Sequence, residues 1–278
     1  MRKTPCLITL LLSCGLFAQP NCEAYKYHGD DLKYRACKVA EKRAGHYQFS
    51  RAYQEALDEA LAIDSTFAYA YKVKSTAYLK SGDFITWKEL IDQAVKYDPE
   101  GELFYRASCR YQFFRDYQGA IDDIDLLDSL VDYDIGYSQN GDYHLNIVKA
   151  LCYKGIGSPN RALEIFEEQL SDSTHFTGIY DYLHLGVLYL EMGNYSKALE
   201  SFKRQELEND IAENRYYSAL AYKAIGNRKK WLENLELAKK KHEQRERMFD
   251  PYTENMDQIF LSDILNEIEV SLNSFNNN

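Results

Sequence analysis

Between residues 182 and 202 the chain reads Tyr182-x-x-Leu185-Gly186-x-x-Tyr189, then Gly193-Asn194-Tyr195, then Ala198-x-x-x-Phe202. Apolar positions recur three and four apart on both sides of the Gly-Asn break. That spacing predicts two amphipathic helices joined by a tight turn. Gly186 and Ala198 are small where the paired helices must come closest, whereas Tyr182, Leu185, Tyr189 and Phe202 are large where the space between them must be filled.

The pattern repeats along the chain. One unit starts near Ala68, with Tyr71, Ser75, Tyr78, Gly82-Asp83-Phe84, Ile91 and Ala94, and ends at Asp98-Pro99, because proline disfavours helical geometry in the residue before it. A second starts near Gly101, with Phe104, Ser108, Tyr111, Asp116-Tyr117, Ala120 and Ile124. Another starts near Tyr143, with Ala150, Tyr153, Gly157-Ser158-Pro159, Ala162 and Phe166. The last starts near Glu213, with Ala219, Tyr222, Gly226-Asn227, Leu235 and Ala238. A divergent unit precedes them: Tyr53 to Asp64 fits a second helix, and the first helix, about Leu32 to Gly45, sits a few residues too far upstream.

These residues closely resemble the tetratricopeptide repeat, which places a large residue, Leu-Gly, Tyr, Ala and Phe at these offsets over about 34 residues. The resemblance implies an all-α fold: a right-handed superhelix of antiparallel helix pairs, whose first helices line a concave face. Residues 31–243 would form the array, about six pairs with the first divergent. Trp87 and Trp231 stand where the family prefers Ala, which should widen those pairs. The resemblance also implies which positions face a ligand. Transferred to this chain they are Tyr69, Lys72, Thr76 and Lys80, then Tyr105, Gln112 and Phe113, then His144 and Lys154, then Tyr180 and Glu191, and finally Tyr216 and Lys223.

The two ends read differently. Met1-Arg2-Lys3 followed by an apolar run from Cys6 to Phe17 has the form of a secretory signal, too short to span a bilayer as a mature helix. Two processing routes fit. Cleavage after Ala18 would leave residues 1–18 as the signal peptide, in a Leu-Phe-Ala-Gln context that resembles Bacteroidetes export signals. Alternatively, Leu11-Leu12-Ser13-Cys14-Gly15 resembles a bacterial lipobox, with Cys14 as a lipid anchor. Residues 19–30 read as a linker. At the other end, Asp250-Pro251 makes a good helix start, with Asp as N-cap and Pro at the first position. Met256, Ile259, Phe260, Ile264 and Ile268 then mark one face of a helix expected to cap the last repeat, within 244–278, and Asn273 to Asn278 read as a disordered tail.

Composition narrows the chemistry. A net charge of −10 opposes general binding to phosphate backbones, so no nucleic-acid partner is expected. The 24 tyrosines suit helix pairs that bury a ring and leave its hydroxyl near water. Export permits disulfides, and Cys22 and Cys37, close in sequence, are the expected pair; Cys109 and Cys152 fall in helical patterns as small buried residues. The histidines, His28, His46, His144, His175, His184 and His242, form no His-Glu-x-x-His, and no phosphate loop or nucleophile elbow is present. Asp122, Asp123, Asp125 and Asp128 read as the solvated face of a helix. The polar stretch from Val131 to Asp142 reads as a surface loop, with the glycine misplaced for a calcium site.

No catalytic residue, metal or cofactor is therefore expected. The leading expectation is an interaction scaffold of the cell envelope or periplasm that holds a peptide or protein partner in the concave groove. A structural subunit acting through its convex face or C-terminal helix is the alternative, and an envelope hydrolase a weaker one.

Overall fold

The computed structural model describes residues 20–276, so Cys14 and the expected signal peptide lie outside the described residues. Fourteen α-helices are formed and, apart from a single bridge between Tyr137 and His144, no β-structure occurs among these residues. The chain divides after Tyr97 into two compact units.

In the first unit α1 (Cys22–Tyr27) is joined to α2 (Asp31–Ala40) by the Cys22–Cys37 disulfide. The segment expected as a linker thus contains a tethered helix. Helix α2 pairs with α3 (Arg51–Ile63), and α4 (Ala68–Ser81) with α5 (Phe84–Tyr97). Leu57, Ala60, Phe67 and Ala70 join both cysteines in one buried cluster.

The second unit contains four more pairs: α6 (Pro99–Cys109) with α7 (Tyr117–Leu130), α8 (Leu145–Gly155) with α9 (Pro159–Ser171), α10 (Asp181–Glu191) with α11 (Tyr195–Glu208), and α12 (Ala212–Ala224) with α13 (Arg228–Glu243). The final helix, α14 (Leu261–Asn276), packs on α13. The first helices α6, α8, α10 and α12 also touch in succession and together make one face of this unit.

The turns explain why the pattern keeps its register. Gly82, Gly157, Gly193 and Gly226 take left-handed φ values of 73–81° that a side chain would strain. The next residue then donates its backbone N–H to a tyrosine carbonyl in the first helix: Asp83 to Tyr78 at 3.0 Å, Ser158 to Tyr153 at 2.8 Å, Asn194 to Tyr189 at 2.8 Å and Asn227 to Tyr222 at 2.9 Å. In three of these turns the same residue caps the second helix, Asp83 accepting from Thr86, Asn194 from Lys197 and Asn227 from Lys230. Between α6 and α7 the glycine is missing. Arg115 adopts the left-handed conformation instead (φ 53°), and residues 110–114 widen into a π-turn, so that Asp116 reaches the Arg110 carbonyl.

Packing inside a pair is close. Gly186 of α10 lies against the Phe202 ring of α11, where a Cβ would overlap the ring. Gln205 stitches the same pair, its Oε1 accepting from Leu183 N–H at 3.0 Å and its Nε2 donating to the Ile179 carbonyl at 2.8 Å. Trp87 and Trp231 are both buried.

Two expectations are corrected. Asp123 does not belong to a solvated face. It is buried and gripped by Arg106 at 2.6 and 2.9 Å, with Arg110 3.1 Å away, because its place on α7 turns toward α6. Nor does a helix start at Pro251. Asp250 caps a single turn, accepting from Tyr252 and Thr253 N–H, and the chain stays irregular until Leu261. There the Asp263 carboxylate accepts the Phe260 N–H at 2.7 Å and opens α14, whose face retains Ile264 and Ile268 but not Met256 or Ile259. The helix then runs to Asn276, through much of the stretch expected to be disordered.

The Gly186–Phe202 contact has a direct test. Gly186→Leu should wedge α10 from α11 and destabilise the protein by about 1–3 kcal/mol, as overpacking does. Chemical denaturation would show this as a lower midpoint at unchanged slope, and an unchanged midpoint would contradict the packing.

Candidate functional site

The face made by α6, α8, α10 and α12 is not bare. After α13 ends, residues 244–260 cross it before α14 begins. Glu213, buried in the first turn of α12, accepts the Met248 N–H at 3.1 Å. Beyond the end of α6, Gln112 Nε2 donates to Asp250 Oδ2 at 3.1 Å and Arg115 donates to the Glu254 carbonyl. Asp257 is then held from two helices, by His184 Nδ1 of α10 at 2.8 Å and Lys154 Nζ of α8 at 2.6 Å. Ile259 joins Ala212, Ala238 and Ile264 in a buried cluster against which Tyr216 and Ile268 pack. Beyond it Glu267 pairs with Lys223 at 2.6 Å.

Electrostatics concentrate at Asp257. Burial alone would push its carboxyl up, but the His184 hydrogen bond and the Lys154 charge outweigh that cost and hold it below the usual carboxylate range. His184 is fixed in turn by Tyr143, whose hydroxyl lies 3.1 Å from Nε2. Lys154 also reaches Glu191 at 3.2 Å, and burial raises the Glu191 carboxyl. Glu213 behaves oppositely to Asp257. Burial pushes it up to about 7, against the amides of Met248 and Ile259 and the Arg247 charge. Among the described residues the free cysteines are Cys109 and Cys152, both buried, and burial raises both thiols, Cys109 to about 12.

The expected ligand-facing residues fall into four groups. Gln112, Lys154, Glu191, Tyr216 and Lys223 come together around residues 250–268 of the same chain. Tyr105 and His144 are 5% and 2% exposed, so neither presents a surface to a partner. His144 instead caps α8 and meets Asp134 at 2.7 Å, at the wall of a polar cavity of about 530 Å³ that His175 also lines. Phe113 lies in the π-turn, and the half-buried Tyr180 packs its ring on Tyr143. In the first unit, Arg43 donates to the Tyr69 hydroxyl, Lys72 lies over the Tyr69 ring, Thr76 bonds the Lys72 carbonyl, and Lys80 donates to Gln48 at 3.1 Å.

His184, Glu213, Arg115 and Asp257 were not foreseen. A histidine inside the Leu-rich α10 is the one linear sign of the arrangement; the carboxylate it meets lies 73 positions later. Among the described residues there is no cluster of three or more His, Cys, Asp or Glu side chains suited to a metal, and no helix long and apolar enough to cross a membrane.

The fold is that of a helical-repeat protein. The tetratricopeptide repeat family profile matches residues 182–205, which is α10 with most of α11. Among solved structures, PilW, described as a widely conserved type IV pilus biogenesis factor, aligns with a TM-score of 0.57 at 16% identity over 88% of this chain and 94% of its own. PilF of Pseudomonas aeruginosa aligns with a TM-score of 0.57 at 17% identity, over 76% of this chain and 93% of its own. No curated protein matches in sequence. One repeat of the chain thus matches the tetratricopeptide profile, and its fold is similar to that of these helical-repeat structures.

The Glu213 environment predicts a pH dependence. Its folded value, about 7, exceeds the ordinary 4.5, so the folded chain binds the extra proton between these limits. Stability attributable to this group is therefore lost as pH rises through that window, at up to about 1.4 kcal/mol per pH unit. Glu213→Gln removes the titration. Denaturant unfolding at pH 5, 6, 7 and 8 should show the variant gaining on the parent as pH rises, whereas a constant difference would contradict the assignment.

Proposed function

We propose that the chain is a protein-interaction scaffold that holds an extended segment of a partner against the first helices of its second unit. One observation carries the reading: this face already holds a non-helical segment of the chain. Residues 248–259 are bound there through backbone amides, one carboxylate and one aliphatic side chain, which is how a groove holds a segment in trans. The disulfide between Cys22 and Cys37 supports an oxidising compartment and, with the N-terminal signal, a place in the cell envelope.

A second reading rests on α14, where Leu265, Val270 and Leu272 are exposed on the final helix. These would suit a subunit that docks through its end.

Photocrosslinking separates the two. A benzophenone side chain placed at Glu191 or Lys223 reports on the groove, at Leu272 on the final helix, and at Lys203 on the back of α11. Capture of one polypeptide in native envelopes from Glu191 and Lys223, and not from Lys203, is the expected result. Capture from Leu272 alone would favour the docking subunit and overturn the groove.

A further inference from the structure

We propose that residues 249–260 are a resident competitor of the partner. On this view the partner's segment carries a carboxylate that replaces Asp257 between Lys154 and His184, followed by an aliphatic side chain that takes the place of Ile259. The inference rests on the groove reading above and adds the chemistry of its ligand.

The hold on this segment is selective but shallow. Its fixed points are the Met248 amide on Glu213, the Gln112 and Arg115 contacts to Asp250 and Glu254, the Asp257 carboxylate, and the buried Met248 and Ile259 side chains. Between and beside them Phe249 is 70% exposed, Tyr252 58% and Phe260 44%, so the aromatic residues best suited to gripping an apolar groove face water. Asp257 sits at φ 61°, a left-handed conformation that costs a non-glycine residue energy. Its ion pair is buried, and the desolvation of such pairs offsets most of their attraction. A segment held by few apolar contacts and a buried ion pair belongs to the low-stability end of a structure.

The pocket nevertheless demands a carboxylate. Lys154 is 10% exposed and His184 is wholly buried, and the groups facing Lys154 are Asp257 and Glu191. Withdrawal of Asp257 leaves Lys154 with Glu191 as its counter-charge, and a second carboxylate entering the pocket restores the pairing. Because the resident segment is tethered, it competes at an effective concentration on the order of mM. The apparent affinity for anything in trans is reduced by the fraction of time the groove stands open.

A fluorescein-labelled synthetic peptide of residues 250–262, titrated into the full chain by anisotropy, tests this. It should bind the Asp257→Asn chain at least about tenfold more tightly than the parent chain, because the tethered copy is weakened. Substituting Asn for Asp at position 257 of the peptide should abolish that gain. Arg115→Gly provides a variant that does not touch the pocket: it removes the contact to Glu254 and relaxes a left-handed backbone, and it should also bind the peptide more tightly than the parent. Equal affinity of the parent chain and Arg115→Gly, or equal binding of the two peptides by Asp257→Asn, overturns the proposal. If crosslinking captures a partner from Glu191 and excess peptide leaves that capture unchanged, the groove stands and this inference falls. If nothing is captured there, the groove reading itself falls.

Discussion

A single helix pair cannot cover its own apolar surface. Each pair in this chain buries one stripe against its partner helix and leaves a second stripe that only the next pair can cover. The packing of Gly186 under Phe202 deals with the first, and the contact of Gly155 in α8 with the Tyr117 ring of α7 deals with the second. Both contacts need a residue without a side chain opposite an aromatic ring. That pairing of smallest with largest sets how near α10 comes to α11 and α8 to α7.

Stacking of this kind has no internal stop. The last pair, α12 with α13, still presents an apolar stripe, and α14 closes it through Ile264 and Ile268. Reaching that position from the end of α13 requires a connection, and residues 244–260 make it by crossing the first-helix face. The polar side chains along this crossing follow from the backbone, which is irregular there and cannot satisfy its own amides and carbonyls. Glu213 and Arg115 supply two of the missing partners, and Gln112 holds the Asp250 side chain that caps the turn. Asp257 adds a charge that must be neutralised once buried, which Lys154 supplies while His184 hydrogen-bonds the carboxylate.

This explains what could be read from the residues alone. The repeat was legible because its signals are local: a glycine at a left-handed turn, an Asp or Asn cap beside it, and rings three and four positions apart. Where a local signal was absent the reading failed. Asp250-Pro251 has the chemistry of a helix start, but long-range capture of Asp257 by α8 and α10 wins over local propensity. Asp123 sits among exposed aspartates in sequence and is distinguished from them by the direction of one helix face. Lys154, Glu191 and Lys223 lie beside the crossing segment. That the same chain supplies their counter-charges depends on contacts 37 to 103 residues apart, for which no periodicity exists.

The position of the crossing segment therefore has a consequence for function that the repeats themselves do not. An uncovered first-helix face would offer its lysines and tyrosines to any acidic or aromatic segment of suitable length. On the proposed reading, with Asp257 in place a partner would have to bring its own carboxylate and displace a tethered one to reach Lys154 and His184. Discrimination then comes from competition rather than from additional contacts, since a weak ligand loses to the resident segment while a well-matched one does not. The exposed Phe249 and Tyr252 fit this role better than that of a permanent plug, because a segment built solely to close the groove would bury its aromatic side chains.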